Sequence, residues 1–176
     1  MPATRPSFLK RMLRASPDPR DAMRPLWHRV VEIAREPQWY ADCGVADTVP
    51  GRFDMITAVL SLVVIRMEGE RELQVPSAHL IELFVADMDG QLRELGINDV
   101  VVGKHMGRLM STLGGRMGAY REGLKDDGTD LAEAVRRNVS LEEPAKAAML
   151  AERLQALAAH LRRTSDADLL KGDIAS

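Results

Sequence analysis

Five stretches of the chain carry residue types that could do chemistry, and each can be tested on its spacing. His28 and Glu32 stand four residues apart, which places an imidazole and a carboxylate on one face of a helix. Two ligands do not hold a metal, and no third follows at useful spacing. Asp87 and Glu94 lie a heptad apart and could form an acid–base pair. An acid–base role needs a nucleophile, a metal or a phosphate loop beside it, and none is near. The run Asp87-Met88-Asp89-Gly90 opens like a calcium loop. It lacks the alternating acids that should follow, Asn98 stands where the bidentate glutamate belongs, and the segment reads as helix. Gly103-Lys104-His105 lacks the earlier glycine and the hydroxyl residue of a phosphate loop. Cys43, the single cysteine, has no neighbouring base to make it a thiolate, so it reads as a small packed residue. The expectation is a protein that is not an enzyme, with no metal and no cofactor.

The elements that would position these residues are helical throughout. A helix is expected over residues 50–70: its run 55–65 is apolar on every side, and the pattern from Arg52 to Met67 is too long for a buried strand, so this is the expected central helix. Arg52 and Asp54 at its start are awkward in such a helix, so one or both are expected to pair inside the bundle. A helix over residues 21–36, with Pro25 in its first turn, turns Leu26, Val30, Ile33 and Ala34 inward. Pro37 stops it, and residues 38–50 read as an irregular link. In that link Gly44 takes a conformation side chains resist, and Asp47 or Thr48 caps the next helix. Residues 77–95 form a helix with Leu80, Ile81, Phe84, Met88, Leu92 and Leu95 inside. Asp87 lies close to Leu80 on a helical wheel and is expected to be paired with Arg52 or Lys104.

After a turn at residues 96–99, the next helix repeats small residues every fourth position: Gly103, Gly107, Ser111, Gly115 and Ala119. The spacing keeps them on one stripe, where another helix could pack at close range or a partner could be received; close packing is the expected outcome. Met106, Met110, Met117 and Tyr120 stand on its other faces as an adaptable apolar surface and are candidates for binding a client. A short helix over 130–138 follows. Ser140 and Glu143 have the spacing of a capping box, and Pro144 opens a last helix to about residue 163. Residues 165–176 read as a loose tail, and residues 21–164 as one all-α domain of five to six main helices.

At 176 residues with 45% hydrophobic and 28% charged side chains, the chain suits one soluble domain. A net charge of −2 and an aromatic content of 4% exclude a general DNA-binding surface and a base-stacking platform. No run of 18 apolar residues is long enough to span a membrane. Residues 1–20 are different: Arg5, Lys10, Arg11 and Arg14 surround Phe8, Leu9, Met12 and Leu13. Arg5, Phe8, Lys10, Arg11 and Arg14 are therefore candidates for contact with an anionic membrane or with the ribosome.

Three blocks then resemble one family. AREPQWYADCGVADTVPGRFDMI (residues 34–56), ADMDGQLRELGINDVVVGK (86–104) and GRMGAY (115–120) are similar to the ubiquinol–cytochrome c chaperones, assembly factors of the respiratory bc1 complex. From the first to the last, the blocks span about half of the chain, residues 34–120, and the alanine-rich C-terminal part lies outside them. The resemblance implies an all-helical, non-enzymatic chaperone that receives newly made cytochrome b before or during haem insertion. It marks Trp39 and Tyr40 as candidate client-binding or motif residues, and Arg93 as a candidate structural residue. It also implies action at the cytoplasmic side of a bacterial inner membrane, or the matrix side in a mitochondrion, with a small partner subunit or the ribosome as further partners. A helical adaptor with another client is the alternative.

Overall fold

The computed structural model describes residues 18–94, 99–125 and 129–174; the side chains of 92, 93, 99–106, 108 and 129 are outside the description. The architecture is an all-α bundle. After a 3₁₀ turn at Pro19–Met23 come α1 (Arg24–Ala34), α2 (Pro37–Ala41), α3 (Val49–Met67), α4 (Gln74–Glu94), α5 (Asp99–Gly123), α6 (Thr129–Asn138), α7 (Ala147–Arg163) and α8 (Asp166–Lys171). Among the described residues the one β-type pairing is an isolated bridge between Val45 and Leu141.

Helix α3 occupies the centre, packed by α1, α4, α5 and α7. Its apolar residues from Met55 to Val64 are all buried, which is why the sequence shows no polar stripe there. Thr48 starts it: its hydroxyl accepts from the Gly51 N–H at 3.3 Å. Gly51 has no room for a side chain, since a Cβ would lie 2.0 Å from the Ala46 carbonyl oxygen. Phe84 of α4 closes the core beneath Trp27, with ring centroids 5.9 Å apart in an edge-to-face arrangement.

Three expectations need correction. The link after Pro37 is not wholly irregular, because α2 forms a single turn there. Its aromatic side chains finish α1: the Trp39 indole donates to the Ile33 carbonyl at 2.6 Å and the Tyr40 hydroxyl to the Ala34 carbonyl at 2.8 Å. These are carbonyls that a helix end leaves without intrahelical partners.

The segment after residue 164 is not loose. Ser165 caps α8 by accepting from the Asp168 N–H, Leu169 and Ile174 are buried, and Arg29 donates to the Ile174 carbonyl from both Nε and Nη2 at 3.0 and 2.8 Å. Arg66 holds the preceding turn, donating to the carbonyls of Leu161 and Thr164 and to the Asp166 carboxylate.

Asp87 is exposed and, among the described residues, accepts a 3.3 Å bond from Gln91 one turn on; the side chain of Lys104, the other partner expected for it, lies outside the described ones. The inner line of α4 runs through Leu80, Leu83, Phe84 and Met88, which leaves Asp87 on the flank where water solvates it. Arg52 points out as well, paired with Asp47 at 2.7 Å on the surface.

Candidate functional site

The one charged side chain buried in α3 is Asp54. Its carboxylate receives Arg116 Nη2 of α5 at 2.7 Å on one oxygen, and the Ser140 N–H and hydroxyl at 2.9 and 2.7 Å on the other. Arg116 also donates from Nη1 to the Thr57 hydroxyl at 2.7 Å and lies over the Phe53 ring, 5.7 Å from its centroid. Three or more partners satisfy the carboxylate, as a buried charge requires. Ser140 thus serves Asp54, whereas the sequence suggested it as half of a capping box.

The backbone around Ser140 is tied in turn to the segment after α2: Ala46 N–H donates to the Ser140 carbonyl and Glu142 N–H to the Gly44 carbonyl, both at 2.9 Å. Gly44 makes this approach possible with φ +71°, the conformation its lack of a Cβ permits. One carboxylate therefore fixes α3, α5 and the 139–142 segment together.

This anchor sets which way α5 faces. Leu113, Arg116, Tyr120 and Gly123 turn inward; a Cβ on Gly123 would lie 2.6 Å from the Leu131 Cα, so α6 packs directly on its backbone. The opposite face carries Gly107, Met110, Ser111, Gly114 and Gly115, all exposed, with Gly118 beside them. A Cβ added to Gly107, Gly114, Gly115 or Gly118 meets nothing within 4 Å. Among the described residues the small-residue stripe is open from Gly107 onward, and the expected close packing of Gly107 and Gly115 against a neighbouring helix does not occur there. Exposed glycines inside a helix cost about 1 kcal/mol each relative to alanine. No contact among the described residues offsets that cost.

The candidate binding residues divide accordingly. Met110 is 41% exposed on the open face, and Met117 is half-buried at its edge, packed against the core. Tyr120 and Trp39 are buried and cannot meet a client in this fold. Tyr40 is half-buried and lines a groove with Arg35 and Arg52. Gly103, Lys104 and Met106 belong to α5 and Arg93 to α4, but their side chains lie outside the described ones; Arg5, Phe8, Lys10, Arg11 and Arg14 lie outside the described residues altogether.

The chemistry weighed against these residues finds no support in the geometry. His28 is exposed, and Glu32 pairs with Arg29 at 3.2 Å. No cluster of metal-ligating side chains occurs among the described residues. Cys43 is fully buried, and that burial pushes its thiol up, away from reactive thiolate.

Comparison with known proteins fits this picture of a scaffold that presents a surface. The ubiquinol-cytochrome C chaperone model matches residues 41–175. The chain belongs to that family. The match runs through the C-terminal part that the three sequence blocks leave out, consistent with α7 and α8 being integral to the bundle. Among solved structures, the Cbp3 homolog from Brucella abortus is 34% identical, with a TM-score of 0.78 over 96% of each chain. A search of curated proteins finds no match. In this chaperone family member, no helix among the described residues is long and apolar enough to cross a membrane.

Sequence reasoning missed Arg116 and Ser140. Both were visible as an arginine inside a methionine- and glycine-rich helix and a serine before a proline turn. Neither position signals a partner 59 or 86 residues away, the separations of the bonds to Thr57 and Asp54.

Proposed function

We propose that this protein is an assembly chaperone of the cytochrome bc1 complex that receives newly made cytochrome b before or during haem insertion, and that the open face of α5 is where a client helix lies. Family membership supports the class of function. The observation that carries the site is the set of glycines at 107, 114, 115 and 118, where an added Cβ would meet nothing within 4 Å among the described residues. A face without side chains admits a second helix almost to backbone contact, as small-residue stripes do between membrane-spanning helices. Met110 at its edge supplies an unbranched, adaptable apolar contact. The client of a bc1 chaperone is itself a bundle of lipid-soluble helices, and covering one of them until its neighbours assemble is binding work that needs no titrating group. Recognition of this kind follows the helix-on-groove mode.

The basic residues Arg5, Lys10, Arg11 and Arg14, with Phe8 beside them, would hold the chaperone at the anionic cytoplasmic face of a bacterial inner membrane, each base contributing about 1 kcal/mol. Deleting residues 1–16 should then reduce sedimentation with anionic liposomes at low salt and leave the circular dichroism spectrum unchanged.

The client face is tested by placing a photo-crosslinking residue at Ser111 and, as a control, at Glu152 on the exposed side of α7, in the native host. A cytochrome b adduct from Ser111 and none from Glu152 is the expected result. Adducts with another protein in place of cytochrome b would point to an adaptor with a different client. Equal adducts from both positions would remove α5 as the site.

A further inference from the structure

On another side of the molecule, α3, α5 and α7 bring their C-terminal turns together around a groove of about 500 Å³. That size lies within the ~300–1,000 Å³ of sites that enclose a small organic group. The floor is apolar, with Ile65 and Leu124 half-buried and reachable from solvent. The rim carries Arg121, Lys125 and Arg162, against Glu70 as the acid among the lining residues. We propose that this groove docks an acidic amphipathic segment of a partner protein, its apolar side chains on the floor and its carboxylates on the rim.

Charge complementarity favours that occupant. The whole chain carries a net charge of −2, yet four bases line this groove against the one acid Glu70, and of these Arg66 is held below the rim by Asp166. Arg162 is exposed and makes no hydrogen bond or ion pair among the described residues. Arg121 pairs with Glu68 and Lys125 with Glu122, but both are surface pairs that a ligand carboxylate can replace at little cost. Bases in the last turn of a helix also offset its dipole. That role explains neither the unpaired Arg162 nor an open apolar floor beside it.

The shape separates a peptide from a membrane. A bilayer surface cannot reach the bottom of a concave groove. The large apolar side chains that do protrude among the described residues, Val49, Val75, Met110 and Met149, do not line it. Docking here is independent of the α5 client face and stands or falls separately from it.

The test uses the full-length protein and two fluorescein-labelled helical peptides, each with leucine on one face, flanked by glutamate in one and by lysine in the other. The glutamate peptide should bind saturably and weaken as salt rises, and the lysine peptide should not bind. Arg162→Glu and Lys125→Glu should each weaken binding by about fivefold or more, whereas Arg136→Glu on α6 should not, with circular dichroism confirming that all three remain folded. Equal binding of both peptides, or an Arg162→Glu protein that binds like the parent, overturns the proposal. So does failure of the glutamate peptide to bind where phosphatidylglycerol vesicles do, with vesicle binding lost in Arg162→Glu; the rim would then be a lipid contact.

Discussion

Asp54 and Arg116 meet at 2.7 Å in a position where their side chains are only 7% and 14% exposed, and this pair joins the central helix to the helix that presents the open face. Removing one partner leaves the other charge buried, which costs more than the pair contributes. Arg116→Leu and Asp54→Leu should each destabilise by about 3–5 kcal/mol in urea unfolding. The double variant should recover part of the loss, since neither charge is then stranded. Additive losses would mean that water reaches the pair and screens it.

A second buried group lies next to this pair without a partner among the described residues. There the Tyr120 hydroxyl and Arg116 Nε make no hydrogen bond, and Tyr120 is fully buried. Desolvation pushes the Tyr120 phenol well above its ordinary value, against a smaller opposing pull from Arg116. The sign is that of a raised acid. The folded state holds a proton that the unfolded state releases, so stability is complete below the ordinary phenol value of about 10 and falls as pH rises past it. The slope contributed is about −1.4 kcal/mol per pH unit. Tyr120→Phe should remove that slope above pH ~10, and should cost little at pH 7, because an unbonded hydroxyl is lost. Unfolding curves of both proteins across that pH range decide it; parallel curves would show that Tyr120 ionises while folded.

How much of this was legible differs from element to element for physical reasons. Helix α3 could be read because a helix buried on all sides has no polar stripe, and its length excludes a strand. The turn at Gly44 and a cap at Asp47 or Thr48 could be read because they are local, and Thr48 is the one that caps. The direction of α5 could not: a four-residue repeat of small side chains looks the same whether it faces a neighbour or solvent. What orients the helix is Arg116 reaching Asp54, a contact set by tertiary structure. Tyr120 was grouped with the exposed methionines for the same reason, although it shares the inner line with Leu113. Asp87 failed more narrowly. Its place on the wheel beside Leu80 was right, but α4 turns Leu83 and Met88 inward, and one step along a helix is enough to put a carboxylate in water.

The C-terminal segment closes on α1 through a glycine. Gly172 has φ +75°, and a Cβ there would sit 2.7 Å from the Pro25 carbonyl oxygen. Gly172→Ala should cost at least about 1–2 kcal/mol from the backbone conformation alone, with the steric contact adding to it. Arg29→Ala removes both bonds to the Ile174 carbonyl and should loosen the same closure. Hydrogen exchange should rise over 166–174 in both variants while α3 stays protected. An unchanged exchange pattern would show that Leu169 and Ile174 hold the segment without these contacts.

The glycines of α5 give opposite expectations for folding and for binding. Replacing Gly107, Gly114, Gly115 or Gly118 by alanine adds a methyl that meets nothing within 4 Å and removes backbone freedom from the unfolded chain. Each substitution should therefore stabilise the protein by about 0.5–1 kcal/mol, and effects at Gly107 and Gly118 should add. Leucine at Gly115 should be tolerated too, which close packing would forbid. If the face receives a client helix, the gain in stability comes with a loss: the alanine variants should capture less cytochrome b and the Gly115→Leu variant least. Stabilised variants with undiminished capture would place the client elsewhere. Destabilised variants would mean that the face is packed in a way the open surroundings of these glycines contradict.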